Sequence, residues 1–185
     1  MEKEKIHNIP NFLTLSRVII TFFVVYFIFA GYPIITIVSA FIIGMITDFL
    51  DGQTARRFNM VTEFGRKFDI IADRILMIAT VFAIVIKFGF DGIINGWHLL
   101  QIAMILSREI ISLPFILMSL LSRKFSIPDV KFIGKLTTFM QAIAFPLVLL
   151  NAFYYPEKNF SIYFAIVTSV VGIISGLTYI KDIRK

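Results

Sequence analysis

Apolar runs long enough to cross a bilayer repeat along the whole of this chain, at residues 12–31, 34–50, 68–86, 97–121, 133–153 and 160–180. A hydrocarbon core about 30 Å thick takes roughly 20 helical residues to span. Inside it every backbone polar group has to be satisfied within the protein, which favours helices. A soluble chain of 185 residues could not bury 58% hydrophobic residues, among them 21 Phe, against only 12 acids; the bilayer must serve as part of its solvent. The expected fold is therefore all-α and integral to the membrane, with six transmembrane helices in a single domain covering 1–185. Gly31-Tyr32-Pro33 leaves room only for a tight turn, so the first two helices should form an antiparallel hairpin. Asp91-Gly92 and Asn95-Gly96 mark a second turn, and Tyr155-Pro156-Glu157 a third. The first run starts late and lacks a small-residue cleavage site, so it does not read as a removable signal. Without cysteine, disulfides and thiolate metal sites are excluded.

A net charge of +6 would suit nucleic acid, but the charges form neither a basic tract nor an aromatic-interleaved groove. They sort by side instead. Of the 18 Lys and Arg, all but Lys87 and Lys158 fall at one set of helix ends. This positive-inside pattern puts both termini and the two charged loops in the cytoplasm of a multi-pass cell-membrane protein. Trp97, Tyr154 and Tyr155 lie near the opposite ends, where aromatic belts form.

Four acids cannot be assigned to loops so simply. Asp48 and Asp51 fall at the cytoplasmic end of the second run, and Asp69 and Asp73 at the cytoplasmic start of the third. The first pair is spaced i,i+3 and the second i,i+4, so each shares a helix face, and consecutive antiparallel helices bring both to one depth. Carboxylates converging at a membrane edge repel unless cations hold them ionised. Hard oxygen ligands suit two divalent ions, Mg²⁺ or Mn²⁺, together with a substrate phosphate. Gly52 and Ala55 beside the first pair, and Gly65 in an i,i+4 row with Asp69 and Asp73, leave room for a ligand against the backbone. Arg56 lies eight residues after Asp48, on its face and within reach of a phosphate. The plainer alternative, solvated pairing with nearby basic residues, suits Arg57, Arg66 and Lys67. It fits poorly for the four Asp, which have small residues threaded between them. A relay for a metal or proton is a further alternative, disfavoured because the acids share one membrane face rather than a midplane path.

From Asp48-Phe-Leu-Asp51-Gly52-Gln-Thr-Ala55-Arg56 through Gly65-Arg-Lys-Phe-Asp69-Ile-Ile-Ala-Asp73, the chain resembles the signature of the CDP-alcohol phosphatidyltransferases. That signature has the form D-x2-D-G-x2-A-R-x8-G-x3-D-x3-D, and every fixed position is met. The stretch from Asn8 to Arg17 is similar to the start of the first helix in glycerophosphate-using members. Ser107-Arg108-Glu109-Ile110 and the segment from Gly134 to Gln141 are similar to their fourth and fifth helices. The resemblance implies a six-helix membrane fold, usually a homodimer, with a cytoplasm-facing cavity. It implies that Asp48, Asp51 and Asp69 ligate metal, and that Asp73 ligates the second metal and acts as general base. Gly52, Ala55, Arg56 and Gly65, together with Asp48, Asp51 and Asp69, would bind the CDP moiety of a CDP-linked lipid donor. An alcohol would attack the lipid-linked phosphorus and CMP would leave.

Glycerophosphate-using members commonly carry an Arg where this chain has Ile116 and a Lys where it has Thr137. Cardiolipin synthases of the family, which take phosphatidylglycerol, also lack those cations. The resemblance favours glycerol-3-phosphate as acceptor, its phosphate bound by Arg108, Lys131 and Lys135; phosphatidylglycerol or another polyol is the alternative. A non-catalytic metal-binding or transport protein is the alternative outside the enzymes. Arg108 and Glu109, charged within an apolar run, call for an internal partner or a cavity, so acceptor binding and a structural ion pair both remain open. His98 reads as a headgroup-level polar residue, and Pro114 and Pro146 as kinks.

Overall fold

The computed structural model describes the backbone of residues 9–57, 63–121 and 132–183, and the side chains of 14–47, 72, 74–115, 118, 132–178, 180 and 181. The described residues form seven helices and no strand: α1 (Ile9–Phe29), α2 (Ile34–Arg57), α3 (Glu63–Phe90), α4 (Gly96–Ile105), α5 (Ser107–Leu121), α6 (Phe132–Tyr154) and α7 (Ser161–Ile183). They group into two compact units, residues 1–92 and 93–185.

In the first unit α1 packs against both α2 and α3, around Val24, Ile28, Ile37, Phe41, Leu76 and Ile84. The hairpin expected at Gly31 is present. The N–H of Tyr32 donates to Phe27 O (3.0 Å) and that of Gly31 to Ile28 O (3.3 Å), with Gly31 at φ +73°. This is a Schellman helix end, which needs a left-handed residue that glycine supplies without steric cost. Its usual apolar contact is made by the Phe27 and Tyr32 rings, 4.7 Å apart. Pro33 immediately precedes α2, its carbonyl accepting from the N–H of Thr36 (2.9 Å).

In the second unit α7 packs against α4, α5 and α6, enclosing Ile102, Ile105, Phe145, Val148, Leu149 and Ala165. The close approach of α5 to α7 depends on Gly172 and Gly176, one helical turn apart. A Cβ at Gly172 would lie 2.5 Å from Ser107 Oγ, and one at Gly176 would lie 2.9 Å from Ile111 Cγ2. Small residues spaced i,i+4 let apolar helices touch backbone to backbone, which is how helices associate where lipid tails are as apolar as leucine. Buried hydrogen bonds add to this, such as Ser161 Oγ donating to Gln101 Oε1 at 2.6 Å.

The run at 97–121 differs from the sequence expectation. It is two helices that meet at Leu106 with a bend of 54°, whereas Pro114 lies inside α5 and Pro146 inside α6. By length and composition α6 and residues 161–178 of α7 suffice to cross a membrane, and α4 with α5 makes a third span if the bent pair is one crossing. Apolar helices of 14–29 and 34–47 are shorter. Large apolar side chains face outward on α1 (Phe22, Phe23, Tyr26) and on α7 (Tyr163, Val170, Leu177); such a surface suits hydrocarbon better than water.

His98 has a local structural role that its sequence position does not reveal. It is buried and closes a capping box. Asn95 Oδ1 accepts from the N–H groups of Trp97 and His98, both at 3.1 Å, while His98 Nδ1 accepts from the N–H of Asn95 at 3.4 Å. The imidazole stands where such a box usually carries Glu or Gln.

Candidate active site

All eight fixed positions of the acidic signature lie on helical backbone. Asp48, Asp51, Gly52, Ala55 and Arg56 occupy the C-terminal part of α2, and Gly65, Asp69 and Asp73 the N-terminal part of α3. Unbroken helix keeps Asp48 and Asp51 at i,i+3 and Asp69 and Asp73 at i,i+4, so each pair keeps its shared face in backbone register. The two helices contact each other within the first unit. The side chains of all eight residues fall outside the described ones. As a donor set the four positions offer carboxylate oxygens alone, which fits a hard divalent cation and not a thiolate- or imidazole-seeking one.

Among the described residues, the same unit holds two buried cations, Arg17 on α1 and Arg74 on α3, both engaged in interactions. The sequence places both among the cytoplasmic basic residues, with Arg17 closing the segment similar to the family's first helix and Arg74 a candidate partner of the four Asp. Burying an arginine is costly unless it is paired, and the acid-rich unit is a setting where pairing is available.

In the second unit the site residues are described in atomic detail. Arg108, in the first turn of α5, is half-buried; its Nη1 donates to Gly134 O at 3.1 Å and to Thr138 Oγ1 at 2.7 Å, both on α6. Next to it Glu109 is buried, and its Oε2 accepts from Gln141 Nε2 at 2.6 Å. The same Gln141 nitrogen donates to Ile105 O at 2.8 Å. That carbonyl belongs to the last residue of α4, where the helix supplies no further turn to satisfy it. Ser107 Oγ donates to Ser169 O on α7 at 3.3 Å. The break at Leu106 is therefore tied to two neighbouring helices by three successive residues. Lys135 is exposed on α6, one residue after Gly134; Lys131 lies outside the described residues. Thr137, which stands where glycerophosphate-using members commonly carry Lys, is fully buried and its hydroxyl donates to Ile133 O at 2.8 Å. Ile116 has no described side chain.

Residues 7–174 match the sequence profile of the CDP-alcohol phosphatidyltransferases over most of the chain. The chain belongs to this family. It is accordingly an enzyme, a transferase of phospholipid synthesis. Relatives along its full length agree. The CDP-diacylglycerol–glycerol-3-phosphate 3-phosphatidyltransferase of Salmonella typhimurium is 36% identical over 182 residues, covering 96% of this chain and 95% of its own. Proteins of the same name are 30% identical in Rickettsia typhi (94% and 96% covered) and 29% identical in Rickettsia felis (96% of each). Family members are in general dependent on divalent metal.

Sequence reasoning missed the Gly172–Gly176 seat for α5 and gave Thr138 and Gln141 no role. A signal existed for the first: two glycines at i,i+4 in an apolar run are a recognised helix-contact pattern. For Thr138 and Gln141 none did, because their partners lie 30 and 32 residues away in sequence.

Proposed function

We propose that the chain transfers a phosphatidyl group from CDP-diacylglycerol to the hydroxyl of glycerol-3-phosphate, releasing CMP. What carries this reading is the match to glycerol-3-phosphate transferases over nearly the whole of both chains. The fixed guanidinium of Arg108, next to the residue that precedes Lys135, supplies cationic groups for an acceptor phosphate and supports it further. Asp48, Asp51 and Asp69, with Asp73, are assigned to hold two divalent ions. When bound, the ions neutralise the donor's pyrophosphate and stabilise the attacking and leaving oxygens. Gly52, Ala55 and Gly65 let the cytidine moiety lie against the helix backbones, and Arg56 pairs with its phosphate. Asp73 accepts the proton of the acceptor hydroxyl as the oxygen attacks phosphorus. Arg108, Lys131 and Lys135 hold the acceptor's phosphate. The protein acts as a single six-span domain and a homodimer, its active side facing the cytoplasm, where the basic residues collect.

The assay combines purified protein, CDP-diacylglycerol and Mg²⁺ with one acceptor at a time. Glycerol-3-phosphate is expected to support CMP release, and phosphatidylglycerol to fail. Lys135→Ala should raise KM for glycerol-3-phosphate and leave that for the lipid donor nearly unchanged. Turnover with phosphatidylglycerol alone would make the chain a cardiolipin synthase, and Ile116 and Thr137 the better guide.

Topology is tested separately. The native chain contains no cysteine, so labelling background is nil. A cysteine replacing Phe90, which is 89% exposed at the end of α3, should react with an impermeant thiol reagent on intact cells. One replacing exposed Lys181 near the end of α7 should react only after permeabilisation. The reverse pattern would turn the protein over in the membrane.

A further inference from the structure

Both hydrogen bonds that Arg108 makes among the described residues leave from one nitrogen, Nη1. A guanidinium carries five N–H donors. Two are used on Gly134 O and Thr138 Oγ1; of the remaining three, Nε–H and one Nη2–H lie parallel along the Nε–Nη2 edge, the pair of directions that fit an oxyanion bidentately. The Thr138 hydroxyl has a fixed orientation as well. A guanidinium can only donate, so Oγ1 must accept from Arg108, and its own proton goes to Gly134 O at 3.2 Å. Three groups thus close a small ring in which one corner of the guanidinium is locked.

The backbone beneath it is held too: Ser107 is tied to α7, and Glu109 through Gln141 to α6 and to the end of α4. An arginine side chain otherwise loses much of its rotamer freedom when a ligand fixes it.

We propose that Thr138 is a positioning residue of the acceptor site: with the Gly134 carbonyl it fixes Nη1 of Arg108 and so holds the Nε–Nη2 edge ready for the acceptor's phosphate. This rests on the reading of Arg108 as an acceptor-phosphate ligand. Thr138 touches no substrate; it acts through the arginine. A hydroxyl serving only to join α5 to α6 would contribute stability alone, as interhelical hydrogen bonds in membrane proteins do. The inference requires instead a selective effect on the acceptor.

The test uses the full-length enzyme in detergent with CDP-diacylglycerol and glycerol-3-phosphate. Thr138→Val keeps the shape and removes the hydroxyl. It should raise KM for glycerol-3-phosphate on the order of tenfold, as expected for weakening one charge-assisted contact. Both kcat and KM for the lipid donor should stay within about twofold. Thr138→Ser should retain wild-type constants, and Thr138→Ala should behave as the valine variant does, which guards against a packing artefact. Arg108→Ala should raise the same KM further, and adding Thr138→Val to it should change nothing more. If Thr138→Val lowers the melting temperature or kcat while KM holds, or if its effect multiplies with that of Arg108→Ala, Thr138 is structural and the inference falls. If Arg108→Ala leaves KM for glycerol-3-phosphate unchanged, the acceptor reading itself fails, and the positioning role with it.

Discussion

Replacing Asp48, Asp51 or Asp69 singly by alanine should lower transfer by on the order of 10³-fold or more, since losing a bound metal removes several kcal/mol of transition-state stabilisation. The three positions sit on unbroken helix, two on α2 and one on α3, where removing a carboxylate changes the ligand set without disturbing a turn or cap. Alanine is the best helix former, so backbone order should survive, and far-ultraviolet circular dichroism should be unchanged. Steady-state CMP release at saturating Mg²⁺ is the measurement. A lost ligand that merely weakened metal affinity would be restored by raising Mg²⁺ or Mn²⁺; a lost ligand needed in the transition state would not. If all three variants keep more than about a tenth of wild-type activity at ordinary Mg²⁺, the two-metal assignment is wrong.

The signature was legible because its geometry is local. Once α2 and α3 are helical, spacing alone fixes which of Asp48, Asp51, Gly52, Ala55 and Arg56 share a face. The Gly31 turn was legible for a similar reason, since a left-handed helix end has few sequence solutions. The broken helix at Leu106 was not. Neither proline nor glycine marks it, while the two residues that look like breakers, Pro114 and Pro146, lie inside helices. A proline in an apolar helix can be accommodated by local rearrangement and neighbouring groups. The bend at Leu106 instead accompanies tertiary bonds from Gln141, Ser169, Gly134 and Thr138, which no window of sequence contains. Those bonds also bear on the question left open for Arg108 and Glu109. The two adjacent charges have separate partners on α6: a carbonyl and a hydroxyl for the cation, an amide for the acid. Pairing with α6 through one nitrogen leaves the arginine a donor edge, so structural anchoring and ligand binding need not compete.

Asp73→Asn should separate chemistry from binding. The amide keeps the shape of the side chain and one ligating oxygen but is not basic enough to take the acceptor's proton. Loss of a general base removes typically about 10²–10⁴-fold in rate, so kcat should fall within that range. Titration of CDP-diacylglycerol in the absence of acceptor should show Kd changed by less than about threefold, because the amide oxygen still ligates the ion through which the donor is bound. Carbon or nitrogen substitution at a metal-only ligand would act on both quantities together, since the donor's pyrophosphate is bound through the ions. Asp73→Ala provides the contrast: it removes both ligand and base, and should weaken donor binding as well as turnover. Parallel losses of binding and rate in the asparagine variant would make Asp73 chiefly a donor-site ligand, and the proton would have to leave by another group.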